Sequence, residues 1–357
     1  MIWRWTVPLG LGVGLGLLLY ACASLEAAPL RVPSSTTVVL SPLATTPDTV
    51  PTTTTPAAPP TKTTPERGWL TIHGTGDVNL DPDYIPALAD RGYDWAWNGL
   101  DGLFLDDDLT IVNLECSPSP LGVAEPKAFT FRCPFGLGEM ASAGVEVANL
   151  GNNHSQDFGK EAMLDGRQRL LRAGLTPVGA GQDATEAALF AAFRSNGWSV
   201  AVVGFGGIVP HAGWLATADQ AGMADGDTIE SMTAAVAAAD EWADLVVVTI
   251  HWGVELERTP RPDDIERAEA LIAAGADVIF GHHSHRLQPL ETVDGVPVFW
   301  SLGNFVWPNF SAAGSVTGVG RVVVTPTGDI DACLLPAFIE GPGHPVLTAG
   351  RACEVEG

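Results

Sequence analysis

Asp277-Val278-Ile279-Phe280-Gly281-His282-His283-Ser284-His285 sets three imidazoles directly after a short apolar, β-branched run. An apolar run of that length, closed by Gly, reads as a buried strand, so the histidines sit at its carboxyl end. Outward from there the pattern repeats. Residues 69–74 run into Gly76-Asp77, 109–114 end at Glu115, 145–150 run into Gly151-Asn152-Asn153-His154, and 244–250 end at His251. Further strands are expected at 199–205 and 296–302, and helices at 160–173, 228–242 and 263–274. Asp263-Asp264 suits the start of the last helix, where the backbone dipole favours negative charge. Such alternation marks a layered α/β protein. In open α/β sheets ligands collect beyond the carboxyl ends of strands, so these ends predict one shared polar crevice.

Asp77, Glu115, Asn153, His251, His283 and His285 make a mixed oxygen and nitrogen donor set. It suits divalent Mn, Zn or Fe, one ion or two. Between two metals a carboxylate would bridge, and water held there would be activated near neutral pH. Taken singly, most of these signals have bland readings. Gly76-Asp77 is a common turn, Asn152-Asn153-His154 suits a turn in which His154 bonds the following helix, and His251 beside Trp252 suits a core histidine. The histidine-rich segment favours metal binding, and the recurrence of donors at strand ends makes coincidence a poor account of the set.

Gly76-Asp77-Val78, Asn113-Leu114-Glu115, Asn152-Asn153-His154 with Asp157-Phe158-Gly159, His251-Trp252-Gly253, Gly281-His282-His283-Ser284-His285 and Ser301-Leu302-Gly303-Asn304-Phe305 occur in that order. With Lys127 and Phe131-Arg132 between the second and third blocks, they resemble the CapA family of bacterial capsule and poly-γ-glutamate synthesis proteins, over most of 70–310. The resemblance implies an α/β fold of the calcineurin-like metallophosphoesterase type, a sandwich of two mixed β-sheets flanked by helices. It also implies a link to membrane-associated machinery that makes or exports poly-γ-glutamate. Carried over by position, Asp77 is the first-block metal ligand, Glu115 the bridging carboxylate and Asn153 a further ligand. His251, His283 and His285 are the imidazole ligands, with His282 supporting them. His154 is then the catalytic acid or transition-state stabiliser. Arg132 is the candidate for gripping an anionic group, since guanidinium binds carboxylate or phosphate through two donors; an ion pair or packing on Phe131 is the alternative. Two departures stand out. Asp-x-His of typical phosphoesterases is Asp77-Val78-Asn79 here, which weakens one metal position, and Leu80-Asp81-Pro82 replaces the basic residue many relatives carry after that block.

The 357-residue chain has 18 basic and 42 acidic side chains, a net charge of −24, which argues against nucleic acid as a partner. Arg4 precedes an uncharged apolar run over residues 5–23 that reads as an export signal or membrane anchor. Cleavage after Ala21-Cys22-Ala23, lipidation of Cys22 within Leu19-Tyr20-Ala21-Cys22, and retention as a short span all remain open. Residues 24–66 are rich in Pro and Thr and read as a disordered linker. Charges balance over 1–66, so the whole excess falls on 67–357, the expected globular domain. The remaining cysteines pair by proximity as Cys116 with Cys133 and Cys333 with Cys353, as an oxidising compartment permits; free buried cysteines are the alternative. These readings place the protein outside the cytoplasm, in the bacterial cell envelope, membrane-anchored or secreted. Expected partners are an anionic polymer such as poly-γ-glutamate or a phosphoester substrate, membrane capsule-synthesis components, and the membrane through the N-terminus. Two function classes fit: a metal-dependent hydrolase of a phosphoester or amide, and a noncatalytic accessory or polymer-binding subunit with a structural metal.

Overall fold

The computed structural model describes residues 66–351 and residue 353; the expected export or anchor segment and, apart from Glu66, the expected linker lie outside the described residues. Two mixed sheets dominate. The larger runs in the order His344–Leu347, Ile330–Gly341, Val316–Val324, Leu70–Val78, Leu109–Leu114, Val147–Asn149, Thr176–Val178, and Asn304–Val306 also pairs with Leu70–Val78. The smaller runs Leu290–Val293, Val296–Phe299, Val278–His282, Leu245–His251, Trp198–Gly206, Ala191–Ser195. In both sheets the strands that end in donor residues pair in parallel, so their carboxyl ends point the same way within each sheet.

Strand periodicity explains the layering. Successive side chains of a strand face opposite sides, and a strand buried on both sides reads as a continuous apolar run. Leu245 and Val247 join Leu70, Ile72, Ile111 and Phe280 in the core between the sheets. Val246 and Val248 face the other way, against Met232 and Val236 of the Ile229–Asp240 helix and Leu271 of the Pro262–Ala273 helix. On the far side of the larger sheet, Val112, Leu114 and Ala148 pack with Met140 of the Leu137–Ser142 helix and with Met163 and Leu170 of the Gly159–Ala173 helix. The result is an α/β/β/α sandwich, the two mixed sheets flanked by helices that the resemblance implies.

The expected strands and helices are present with shifted ends. The segment expected at 69–74 extends as Leu70–Val78, so Asp77 lies within a strand rather than in a turn. The segment at 145–150 contracts to Val147–Asn149, and 296–302 to Val296–Phe299. The 263–274 helix starts at Pro262, whose missing N–H costs nothing at a helix start, and Asp264 Oδ2 accepts the Arg261 backbone N–H at 3.0 Å. The antiparallel strands Val316–Val324, Ile330–Gly341 and His344–Leu347 have no counterpart among the expected elements. Buried Gly318 and Gly320, which carry no apolar side chain, and the partly exposed residues of Ile330–Gly341, Pro336 among them, dilute the apolar signal. Both expected disulfides are formed, Cys116–Cys133 with a Cα separation of 5.8 Å and Cys333–Cys353 with 5.7 Å.

Candidate metal centre

The parallel strands deliver their terminal residues to one place. Asp77 comes from the Leu70–Val78 strand, Glu115 follows Leu109–Leu114, His251 ends Leu245–His251, and His283 and His285 lie in the turn after Val278–His282. Gly76 permits the approach that sets Asp77. A Cβ there would stand 2.3 Å from the Gly303 carbonyl oxygen, and the Asp77 N–H donates to that same oxygen at 2.8 Å. The donors fall into two groups, Glu115 with His251 and His283, and Asp77 with Glu115 and His285; within each, the donor atoms lie within 4.8 Å of one another. Glu115 belongs to both. Asn153 stands at the edge, its Oδ1 2.9 Å from His251 Nε2. His283 and His285 have φ of 87° and 51°, a left-handed backbone rare outside glycine. Strain of that kind gathers where surrounding structure holds functional groups in position.

The electrostatics fit a cation. Both Glu115 carboxylate oxygens and His283 Nδ1 are buried with no hydrogen-bond partner, a costly condition for polar groups unless something else engages them. Burial, reinforced by Asp77, drives Glu115 well above the usual carboxylate range. Burial would raise Asp77 too, but His285, its Nδ1 3.1 Å from Asp77 Oδ2, together with the charge of His282 and the Asn113 hydrogen bond, holds it below. Burial lowers His282 to about 4, and burial with the neighbouring His285 does the same to His283. His251 lies well below its ordinary value through burial and His283. His285 goes the other way: Glu115 and Asp77 outweigh its burial and raise it to about 9. The imidazoles of His251 and His283, held neutral, and that of His285, drawn towards positive charge by two buried carboxylates, form a donor set for a divalent metal.

A polar layer beneath fixes these donors. Asn113 Nδ2 donates to Asp77 Oδ1 at 2.8 Å and stands 3.0 Å from His251 Nδ1. Asn113 Oδ1 in turn accepts from Asn149 and Asn152 at 3.2 and 3.3 Å. Asn304 Oδ1 is 2.8 Å from His285 Nδ1, and Thr249 Oγ1 is 2.9 Å from His282 Nε2. His282 thus sits beside the donor groups, its Nδ1 3.8 Å from Asp77 Oδ1. Partners of this sort orient ligands and tune their basicity. Asn113 and Asn304 were quoted within the family blocks without a role, and Asn149 was not singled out; all three are buried asparagines within strands.

His154 reaches the centre from the turn after Val147–Asn149. Its Nε2 lies 4.0 Å from Glu115 Oε1, and its Nδ1 donates to Asp157 Oδ2 at 2.7 Å. Asp157 is another residue that sequence reasoning quoted without assigning a role. It also accepts the Phe131 N–H at 2.7 Å and pairs with Lys127 Nζ at 2.5 Å, while Lys127 donates to the Asn153 carbonyl at 2.6 Å. Burial lowers His154, opposed by Asp157. Arg132, expected to grip an anion, is engaged by its own loop. Its Nη1 and Nη2 donate to the backbone carbonyls of Ser119, Leu121 and Gly122, and its guanidinium lies 3.6 Å from the centre of the Phe158 ring. Loop carbonyls take three of its guanidinium donors, so Arg132 fastens the 119–122 loop. Asn79 Oδ1 accepts the Asp81 N–H at 2.8 Å.

The chain is similar to known proteins over this same region. A family profile described as "Bacterial capsule synthesis protein PGA_cap" matches residues 71–309. The "PGA biosynthesis protein CapA" of Bacillus subtilis (strain 168) is 35% identical over 191 residues, 50% of each chain. A "probable polyglutamine synthesis accessory protein" of Mycobacterium tuberculosis (strain CDC 1551 / Oshkosh) is 30% identical over 253 residues, 65% of each. The chain therefore spans about half to two thirds of the length of these relatives. Among solved structures, the NAD nucleotidase NadN of Haemophilus influenzae aligns over 80% of this chain and 54% of its own, with 14% identity and a TM-score of 0.45. Every strand end that supplies a donor lies inside the matched region, and the chain belongs to the PGA_cap family of bacterial capsule synthesis proteins.

Proposed function

We propose that this protein is a metal-dependent hydrolase that cleaves a phosphoester or an amide of an anionic substrate during capsule or poly-γ-glutamate synthesis. The observation that carries this is the sharing of Glu115 between two donor groups, with an Asp157-oriented His154 beside it. Asp77, Glu115, Asn153, His251, His283 and His285 would hold one or two Mn, Zn or Fe ions. A divalent metal held there supplies Lewis-acid polarisation of a substrate oxygen and activation of water. Asp157 accepts from His154 Nδ1 and leaves Nε2 facing the donor groups, placed to exchange a proton with the leaving oxygen or nitrogen. The burial of this face excludes bulk water and strengthens each charge interaction.

Export and tethering belong to the same reading. The apolar run at 5–23 and the Pro/Thr-rich linker support a domain held at the outer side of the membrane, and two disulfides suit an oxidising compartment. Membrane capsule-synthesis components are then its neighbours. A second reading, an accessory or polymer-binding subunit with a structural metal, draws on the diversion of Asn79 to Asp81 and on the −24 charge, which repels a polyanion.

The test is elemental analysis of the purified chain, paired with hydrolysis of bis(p-nitrophenyl) phosphate and of poly-γ-glutamate with Mn²⁺ or Zn²⁺ added. Bound metal is expected, lowered by the double substitution His283→Ala, His285→Ala. His154→Ala is expected to keep metal and lose turnover by about 10²-fold or more. Metal without turnover on either substrate transfers the assignment to the accessory reading, and absence of metal removes both.

A further inference from the structure

A cavity of about 250 Å³ opens directly onto His154 and His285. Its walls carry five aromatic rings, Tyr84, Phe129, Phe131, Trp307 and Phe310. The rings are continuous with the metal centre. Phe131 lies 4.4 Å from the His154 ring and 4.5 Å from Tyr84, and Trp307 lies 4.6 Å from the His285 ring, centroid to centroid. Tyr84 then meets Phe310 edge-on at 5.9 Å, and Phe129 stands 6.4 Å from Phe131. Phe131 and Trp307 are buried, whereas Phe129 and Phe310 at the rim are 61% and 77% exposed.

Formal charge on this wall is sparse. Arg286 and Glu255 line it with opposite signs, and the Arg286 Nη1 is already donating to the His285 carbonyl at 2.6 Å. Lys127 is paired with Asp157 and Arg132 is held by loop carbonyls. An extended polyanion would find no row of cations here. Ring faces and edges instead favour another ring, at offset or edge-on contact. A cavity of about 150 Å³ admits a benzene molecule, so this one has room for a ring with a phosphoryl-sized group beside it.

We propose that this cavity is a recognition subsite for a planar, ring-bearing substituent attached to the anionic group that the metal centre takes. It selects ring-bearing phosphoesters over bare polyanions. The inference rests on the metal-centre reading given above. Phe129 and Phe310 are the specificity determinants, because their exposed rings have open faces to offer.

The experiment compares binding of phenylphosphonate and methylphosphonate to the full chain loaded with Mn²⁺, by calorimetry, in the wild type and in Phe129→Ala and Phe310→Ala. Phenylphosphonate is expected to bind about tenfold more tightly. Each substitution should cut that preference severalfold while leaving metal content and methylphosphonate affinity unchanged. Equal affinities in the wild type, or a preference that survives both substitutions, overturn the subsite alone. Failure of the Mn²⁺-loaded chain to bind either phosphonate overturns the anion-binding reading of the metal centre and the subsite with it.

Discussion

Asp157 is the residue whose removal best separates chemistry from architecture. It accepts from His154 Nδ1 at 2.7 Å and pairs with Lys127 at 2.5 Å, yet belongs to neither donor group. Asp157→Asn keeps the shape and removes the charge that orients the imidazole. The expected outcome is metal content equal to wild type and kcat lower by about 10²-fold, with KM nearly unchanged; a matching loss of bound metal would make Asp157 a support of the ligands instead. The histidines of this site were legible in the sequence because three imidazoles in a short turn have few other uses. Asp157 and Asn113 were not, because Asp and Asn are ordinary residues of turns and strand ends. Only their partners across 3 to 138 positions of sequence give them a role.

Among the elements, the loop that follows Glu115 is fastened at several points. Cys116 is bonded to Cys133, 17 residues on. Arg132 holds three loop carbonyls, and its own N–H donates to Asp81 Oδ2 at 2.7 Å. The loop carries Lys127, Phe129 and Phe131, so its fixation bears on both His154 and the aromatic cavity. Replacing Cys116 and Cys133 together by Ala should cost about 3 kcal/mol, the value for closing a loop of that size, read from the urea midpoint. Because Cys116 adjoins Glu115, weaker metal retention should accompany it, measured by chelator competition. Unchanged metal retention in a destabilised variant would restrict the disulfide to stability. The elements themselves were partly legible. Strands buried on both sides announce themselves by Val and Ile runs, whereas Val316–Val324, interrupted by Gly318, Gly320 and Arg321, and Ile330–Gly341, partly exposed, do not.

At the scale of the whole molecule, acidity and burial make stability depend on pH. Glu146 lies away from the metal centre, its carboxylate accepting the Thr110 N–H at 2.7 Å. Burial raises it from 4.5 to about 7, against that hydrogen bond and with help from Asp107. Between those values the folded chain keeps a proton that the unfolded chain has released. Stability therefore falls as pH rises through this window, and the loss is complete above the folded value. Glu146→Gln can still accept from Thr110 and has no charge to bury. The variant should melt higher than wild type at pH 8, with the gap closing towards pH 5. A gap independent of pH would assign the difference to packing instead.

The order of apolar runs, the donor residues at their carboxyl ends and the cysteine spacing were enough to read a layered α/β fold, a metal-type donor set and both disulfides, because strand period and ligand chemistry are local properties of residue types. Which donor atoms come together, that Arg132 is engaged by its own loop, and that five rings wall a cavity beside His154 emerged only from the tertiary structure. Those facts depend on distances between residues far apart in the chain, set by how two sheets stack and where their strands end.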